Sequence, residues 1–111
     1  MQVLNGQLLA ETVRLQNSFE EIQIAIGPCV IITRDLINQY RRTVVVVPLS
    51  SSPSAHPPIR IGVNCGGRAA VAVVDQIRSI AQERLQSRIG VLTEPEMEAI
   101  GDALQQVLDL I

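Results

Sequence analysis

Residues 43–49 read TVVVVPL. Four consecutive valines leave no polar position for solvent. β-Branched side chains suit a pleated backbone, and the lack of alternation points to a strand buried on both faces. Pro48 has no N–H to give to a ladder, so it is expected to end regular pairing or to mark an edge. The next stretch, SSSPSAHPP at 50–58, is dense in Ser and Pro, carries His56, the chain's one histidine, and reads as a loop. It is short enough to be a functional loop, and it does not look like a domain linker.

On the C-terminal side, IRIGV at 59–63 alternates, with Ile59, Ile61 and Val63 on one face and Arg60 on the other. NCGGR at 64–68 is a turn. AAVAVVDQIRSI at 69–80 reads as one further strand, and RLQSRIGVL at 84–92 as a short one. TEPEMEAIGDALQQVLDLI at 93–111 is a helix: Thr93 and Glu96 have capping-box spacing, and Pro95 falls in the first turn. Met97, Ile100, Ala103, Leu104, Val107, Leu108 and Ile111 form its apolar stripe, which is expected to be buried.

On the N-terminal side, PCVIIT at 28–33 is a β-rich run. TRDLINQY follows, with Thr33 or Asp35 as N-cap and Leu36, Ile37 and Tyr40 at helical spacing, which predicts one or two helical turns. Residues 7–15 read as a strand, although Leu9, Thr12 and Val13 also suit a helix face. Many short strands with one terminal helix predict a mostly β, α+β fold, a small and strongly bent antiparallel sheet or barrel.

Composition sets the bounds. A chain of 111 residues is expected to form a single domain with one modest core. Apolar residues make up 47%, yet there is one Phe, one Tyr and no Trp, so that core is aliphatic. The apolar runs are far too short to cross a bilayer, and no basic segment followed by an apolar block marks a signal peptide. Cys29 and Cys65 fit neither a metal spacing nor a disulfide framework, which predicts free thiols in a reducing cytoplasm and no metal or other cofactor. A net charge of −2 argues against a protein that coats nucleic acid by bulk electrostatics. All nine basic residues are Arg, whose planar fork matches phosphate.

Four segments, in order and over residues 28–110, resemble the PemK/MazF toxins of bacterial toxin–antitoxin systems. GPCVIITRDLIN resembles that family's R-P-x-V-I strand and short helix, and RTVVVVPLSS its T-V-x-V-x-P strand ending in a Thr-Ser pair. VVDQIRSI is similar to its D-Q-(I/V)-R segment, and the run from Arg84 to Leu110 to its last strand and helix. The resemblance implies an SH3-like barrel, usually a homodimer, that cleaves single-stranded RNA without a metal. It also implies a cognate antitoxin whose extended segment occupies the RNA groove.

Such cleavage needs an acceptor for the 2′-hydroxyl proton, a donor to the leaving oxygen and donors for the phosphorane charge. By resemblance, Ser50 and Ser51 stand at the Thr-Ser pair, with Ser50 the donor to phosphate. Asp75 stands at an acidic catalytic or base-contacting position, Gln76 at a base edge and Arg78 at a phosphate. The same Asp-Gln-Arg run also suits a structural hydrogen-bond network at a strand end. Arg41 and Arg42 follow Tyr40 in YRRT, an aromatic and cationic grouping suited to RNA contact or simply to a solvated face.

The departures are as specific. Gly27 replaces the Arg of the R-P pair, Ala81 replaces the Asp that ends the D-Q segment, Val73 replaces a basic residue, and the usual N-terminal pattern is missing from residues 5–27. Arg14 and Arg34 are the expected substitutes for the lost charge, and Gly27→Arg is expected to restore cleavage if the charge has not been replaced. Three functions remain open on the sequence: an active ribonuclease toxin, a catalytically impaired relative that keeps the binding groove, and a protein-targeting toxin on the same barrel.

Overall fold

The computed structural model describes residues 4–16, 21–51 and 54–110, with backbone alone for 11–16 and 21–26. Among the described residues seven strands, β1 (Gln7–Gln16), β2 (Glu21–Ile31), β3 (Thr43–Ser50), β4 (Arg60–Cys65), β5 (Arg68–Val73), β6 (Arg78–Ala81) and β7 (Leu85–Val91), form one antiparallel sheet. Its order is β4-β5-β3-β2-β1-β7, with β6 also paired to β3. The described residues also form two α-helices, α1 (Asp35–Tyr40) and α2 (Glu94–Val107). This is the mostly β fold with a C-terminal helix that the sequence predicts. The strand expected at 7–15 is β1, and the run from Pro28 is the second half of a longer β2.

The valine strand organises the interior. Along β3, Val44 and Val46 join Leu9, Cys29, Ile31, Ile80 and Leu85 in one buried cluster. Val47 and Leu49 join Leu8, Val30, Ala72 and Ile100 in a second, beneath α2. Alternate residues of the central strands thus feed opposite faces, and both are dry, as the unalternating sequence requires. Pro48 pairs with Cys29 of β2, so regular pairing does not stop there. On the other edge of β3, β6 pairs with Thr43–Val46 and β5 with Leu49–Ser50. Pro48 lies at this change of neighbour, where a missing N–H is tolerated.

Three local expectations are corrected. The segment 69–80 is not one strand: β5 and β6 run along the same edge of β3 but are interrupted by a 3-10 turn over Val74–Gln76, so residues 73–77 lie opposite only Val47 and Pro48. Neither Thr33 nor Asp35 caps α1, whose N-cap is Arg34 with no side-chain bond. The Thr33 hydroxyl instead bonds both the N–H and the carbonyl of Val45, and Asp35 accepts from the Asn5 N–H at 2.6 Å. The buried residue of α1 is Asn38, whereas Leu36, Ile37 and Tyr40 are exposed. On α2 the buried stripe is shorter than its apolar pattern: Ile100 and Ala103 are buried, Met97 and Leu104 pack at the margin, and Leu108 and Leu110 are exposed. Ile111 lies outside the described residues.

The capping box forms as expected. The Thr93 hydroxyl accepts from the Glu96 N–H at 3.3 Å, and Glu96 Oε1 accepts from the Thr93 N–H at 2.9 Å. Glu96 Oε2 also accepts from the Asn64 N–H at 2.7 Å, which ties the start of α2 to β4. Among the described residues no helix is long and apolar enough to cross a membrane.

Candidate functional site

Ser50 closes β3 and Ser51 follows it into the loop. Both line a cleft of about 430 Å³ with Pro28, Leu49, Cys65 and Arg68, a size suited to one or two nucleotide units. Three strands build it. The β2–β3 register ends at Cys29↔Pro48, and continuing it by two residues brings Gly27 level with Ser50. On the other flank Ser50 pairs with Val71 of β5, and β5 begins at Arg68. Position 27 and β5 therefore flank Ser50 from opposite sides, with Arg68 three residues along β5 from Val71 and lining the same cleft.

The β4–β5 hairpin fixes that flank. Cys65 pairs with Arg68 across a two-residue turn of Gly66 and Gly67, both at positive φ, +58° and +91°. Only glycine adopts such a pair without strain, and it matches the tight turn of twisted strands. The Asn64 side chain accepts from the Gly67 N–H at 2.8 Å and braces the turn. Burial pushes the Cys65 thiol above its ordinary value. It stays protonated at neutral pH and acts as a half-buried apolar wall, not as a nucleophile.

Gly27 itself has φ +127°, a conformation that side-chain-bearing residues rarely adopt. It follows a register shift: Glu11 pairs with Gly27 but Thr12 with Ala25, so the bulge lies directly before Pro28. The glycine therefore goes with a local backbone conformation and is more than a deleted charge.

The other expected site residues separate into two groups away from this cleft. Asp75 and Gln76 are exposed on the 3-10 turn, and Arg78 is exposed at the start of β6. None of the three lines the Ser50 cleft. Arg41 and Arg42, exposed between α1 and β3, line a second cleft of about 420 Å³ with Ala81, Gln82 and Glu83. Gln82 anchors it, donating to the carbonyls of Asn38 at 3.0 Å and Arg41 at 2.8 Å, while its own N–H reaches the Arg42 carbonyl at 2.8 Å. Arg34 is exposed three residues beyond the Ile31 end of β2 and does not line the Ser50 cleft, and Arg14 is on β1, its side chain outside the described ones. His56 is exposed in the loop, where its carbonyl accepts from the Ile59 and Arg60 N–H groups.

Arg68 was not among the residues that the sequence singles out. Its signal, an Arg directly after Gly-Gly, fixes a hairpin but not the strand beside which that hairpin lies. Among the described residues no group of three or more His, Cys, Asp and Glu is placed to hold a metal ion.

A strongly curled antiparallel sheet with one terminal helix defines a small barrel, and a serine-lined cleft lies at the end of its central strand. Solved structures with this fold include an endoribonuclease in complex with its cognate antitoxin from a mycobacterial species, 22% identical over 98% of this chain and 97% of that one, with a TM-score of 0.75. The Mycobacterium tuberculosis toxin MazF-mt6 is 20% identical over 91% and 96%, at 0.68. MazF from Deinococcus radiodurans is 14% identical over 98% of both chains, at 0.77. No curated protein matches by sequence. The profile of the PemK-like, MazF-like toxins of type II toxin–antitoxin systems matches residues 12–108, and the chain belongs to that family.

Proposed function

We propose that the protein is a toxin-type endoribonuclease that cleaves single-stranded RNA by attack of the substrate's own 2′-hydroxyl, without a metal. The observation that carries this reading is the Ser50–Ser51 pair in a cleft at the end of β3, with Arg68 on the same wall. The 2′-oxygen forms its bond to phosphorus as the bond to the 5′-oxygen breaks. The 2′ proton leaves to an acceptor and the 5′-oxygen gains one, giving a 2′,3′-cyclic phosphate and a 5′-hydroxyl. Ser50 and Ser51 donate to the non-bridging oxygens, where charge accumulates. Asp75, Gln76 and Arg78 contact neighbouring nucleotides from the turn beside β3. Arg41 and Arg42, with Arg14 and Arg34, add phosphate contacts further along the strand.

The partner is a cognate antitoxin, in keeping with the mycobacterial endoribonuclease solved with its own. The protein acts in the cytoplasm as a homodimer. Exposed Leu108 and Leu110 at the end of α2 supply apolar surface for the second subunit. One observation favours a second reading: Gly27 at the family's arginine position suits a catalytically impaired relative that retains the groove for its partner.

Induced expression separates the readings. Growth arrest with fragmented RNA, reversed by the antitoxin, is expected. Arrest with intact RNA points to a protein target, and harmless expression with tight antitoxin binding points to the impaired relative.

A further inference from the structure

We propose that Arg68 supplies to the scissile phosphate the positive charge that Gly27 does not, from the opposite flank of Ser50. This rests on the ribonuclease reading of the Ser50 cleft. The sequence points to Arg14 and Arg34 as substitutes, but neither lines that cleft, whereas Arg68 does, together with Ser50, Ser51 and Pro28. The strand order β5-β3-β2 puts positions 68 and 27 on the two neighbours of the strand that carries Ser50. A guanidinium at position 27 would approach the phosphate above Ser50 from β2. One at position 68 approaches it along the cleft from β5, three residues from Val71, the residue that pairs with Ser50.

The support is rigid. Arg68 is the first residue after a two-glycine turn, paired with Cys65 and braced by Asn64. Gly66 is packed against Ile89 of β7, so a Cβ there would stand 3.0 Å from Ile89 Cγ2. The hairpin is paired to β3 through β5 and its tip rests on Ile89 of β7, so a side chain beside the turn is carried on a supported frame. The planar guanidinium gives two parallel N–H bonds to two phosphate oxygens, a geometry that an ammonium cannot reproduce. The proton balance is unchanged: Arg68 stays charged throughout and stabilises the phosphorane, while the 2′ and 5′ oxygens exchange protons with other groups.

The test is cleavage of a long mixed-sequence single-stranded RNA by the wild type, Arg68→Gln and Arg68→Lys. Arg68 is exposed, so both variants are expected to melt as the wild type does. The expected result is a fall in kcat of about a hundredfold or more for Arg68→Gln with a much smaller change in KM, and partial recovery in Arg68→Lys. The log–log dependence of kcat/KM on salt should also lose about 0.7 in slope in Arg68→Gln, one phosphate contact on a single strand. Arg68→Gln cleaving within threefold of an active wild type overturns the assignment and leaves the ribonuclease reading intact. A wild type that cleaves no RNA overturns both.

Discussion

Gly66, at the tip of the β4–β5 hairpin, lies against Ile89 in the middle of β7, close enough that an added Cβ would sit 3.0 Å from Ile89 Cγ2. The strands β4 and β7 are the two ends of the sheet order, so this contact marks where the curled sheet brings its two ends together at the hairpin tip, with no ladder between them among the described residues. Gly66→Ala should therefore destabilise the protein by about 1–2 kcal/mol through its left-handed backbone alone, and by more through the contact. Adding Ile89→Ala should recover the contact part. A double-mutant cycle in urea with no coupling between the two would show that the strands do not meet there.

Gly27→Arg is the obvious repair of the family motif, and the backbone argues against it. Open space surrounds the position, but φ is +127°. A side-chain-bearing residue held in such a conformation costs on the order of 1–3 kcal/mol. The variant should melt several degrees lower and gain no activity. Faster cleavage at an unchanged Tm contradicts this.

Asp75 tests how far the site extends beyond the cleft. It stands outside the Ser50 cleft, so Asp75→Asn should raise KM and alter sequence preference while leaving kcat within a few fold. A fall in kcat of about a hundredfold or more at unchanged KM would place Asp75 in the chemical step.

Glu96 links α2 to β4 and should couple stability to pH. Burial alone would raise its pKa, but the Thr93 and Asn64 N–H groups and the Thr93 hydroxyl outweigh that and hold it below the ordinary glutamate value. A depressed folded-state pKa means stability that is present above the unfolded value and is lost as pH falls through the folded one. Glu96→Gln should therefore narrow the gap in Tm between neutral and acidic pH, and Thr93→Ala should cost about 1 kcal/mol at neutral pH. An unchanged acid dependence in Glu96→Gln would remove Glu96 from this role.

Much of the architecture is local and could be read directly. The valine run, the Gly-Gly turn and the capping box each dictate their own backbone. What failed is instructive. Asp75 and Gln76 interrupt an apolar run, and they do so because the chain must leave β3 as Val47 and Pro48 pass. The excursion depends on a partner strand that the sequence does not display. The apolar residues of α1 look outward because Asn38 turns inward to donate to the Thr33 carbonyl at 2.9 Å, a specific bond that periodicity cannot see. At the candidate site, the resemblance singled out Ser50 and Ser51, which line one cleft. Arg68, which lines it too, was not singled out, because the nearness of β5 to that cleft follows from the long-range pairing Ser50↔Val71.

The most direct measurement is the end chemistry of the products. Single-stranded RNA incubated with the purified wild type in excess EDTA, analysed by mass spectrometry, should give fragments with 2′,3′-cyclic phosphate and 5′-hydroxyl ends, at a rate that falls by about a hundredfold in Ser50→Ala. Cleavage abolished by EDTA, 5′-phosphate ends, or a Ser50→Ala variant as fast as the wild type would contradict the account.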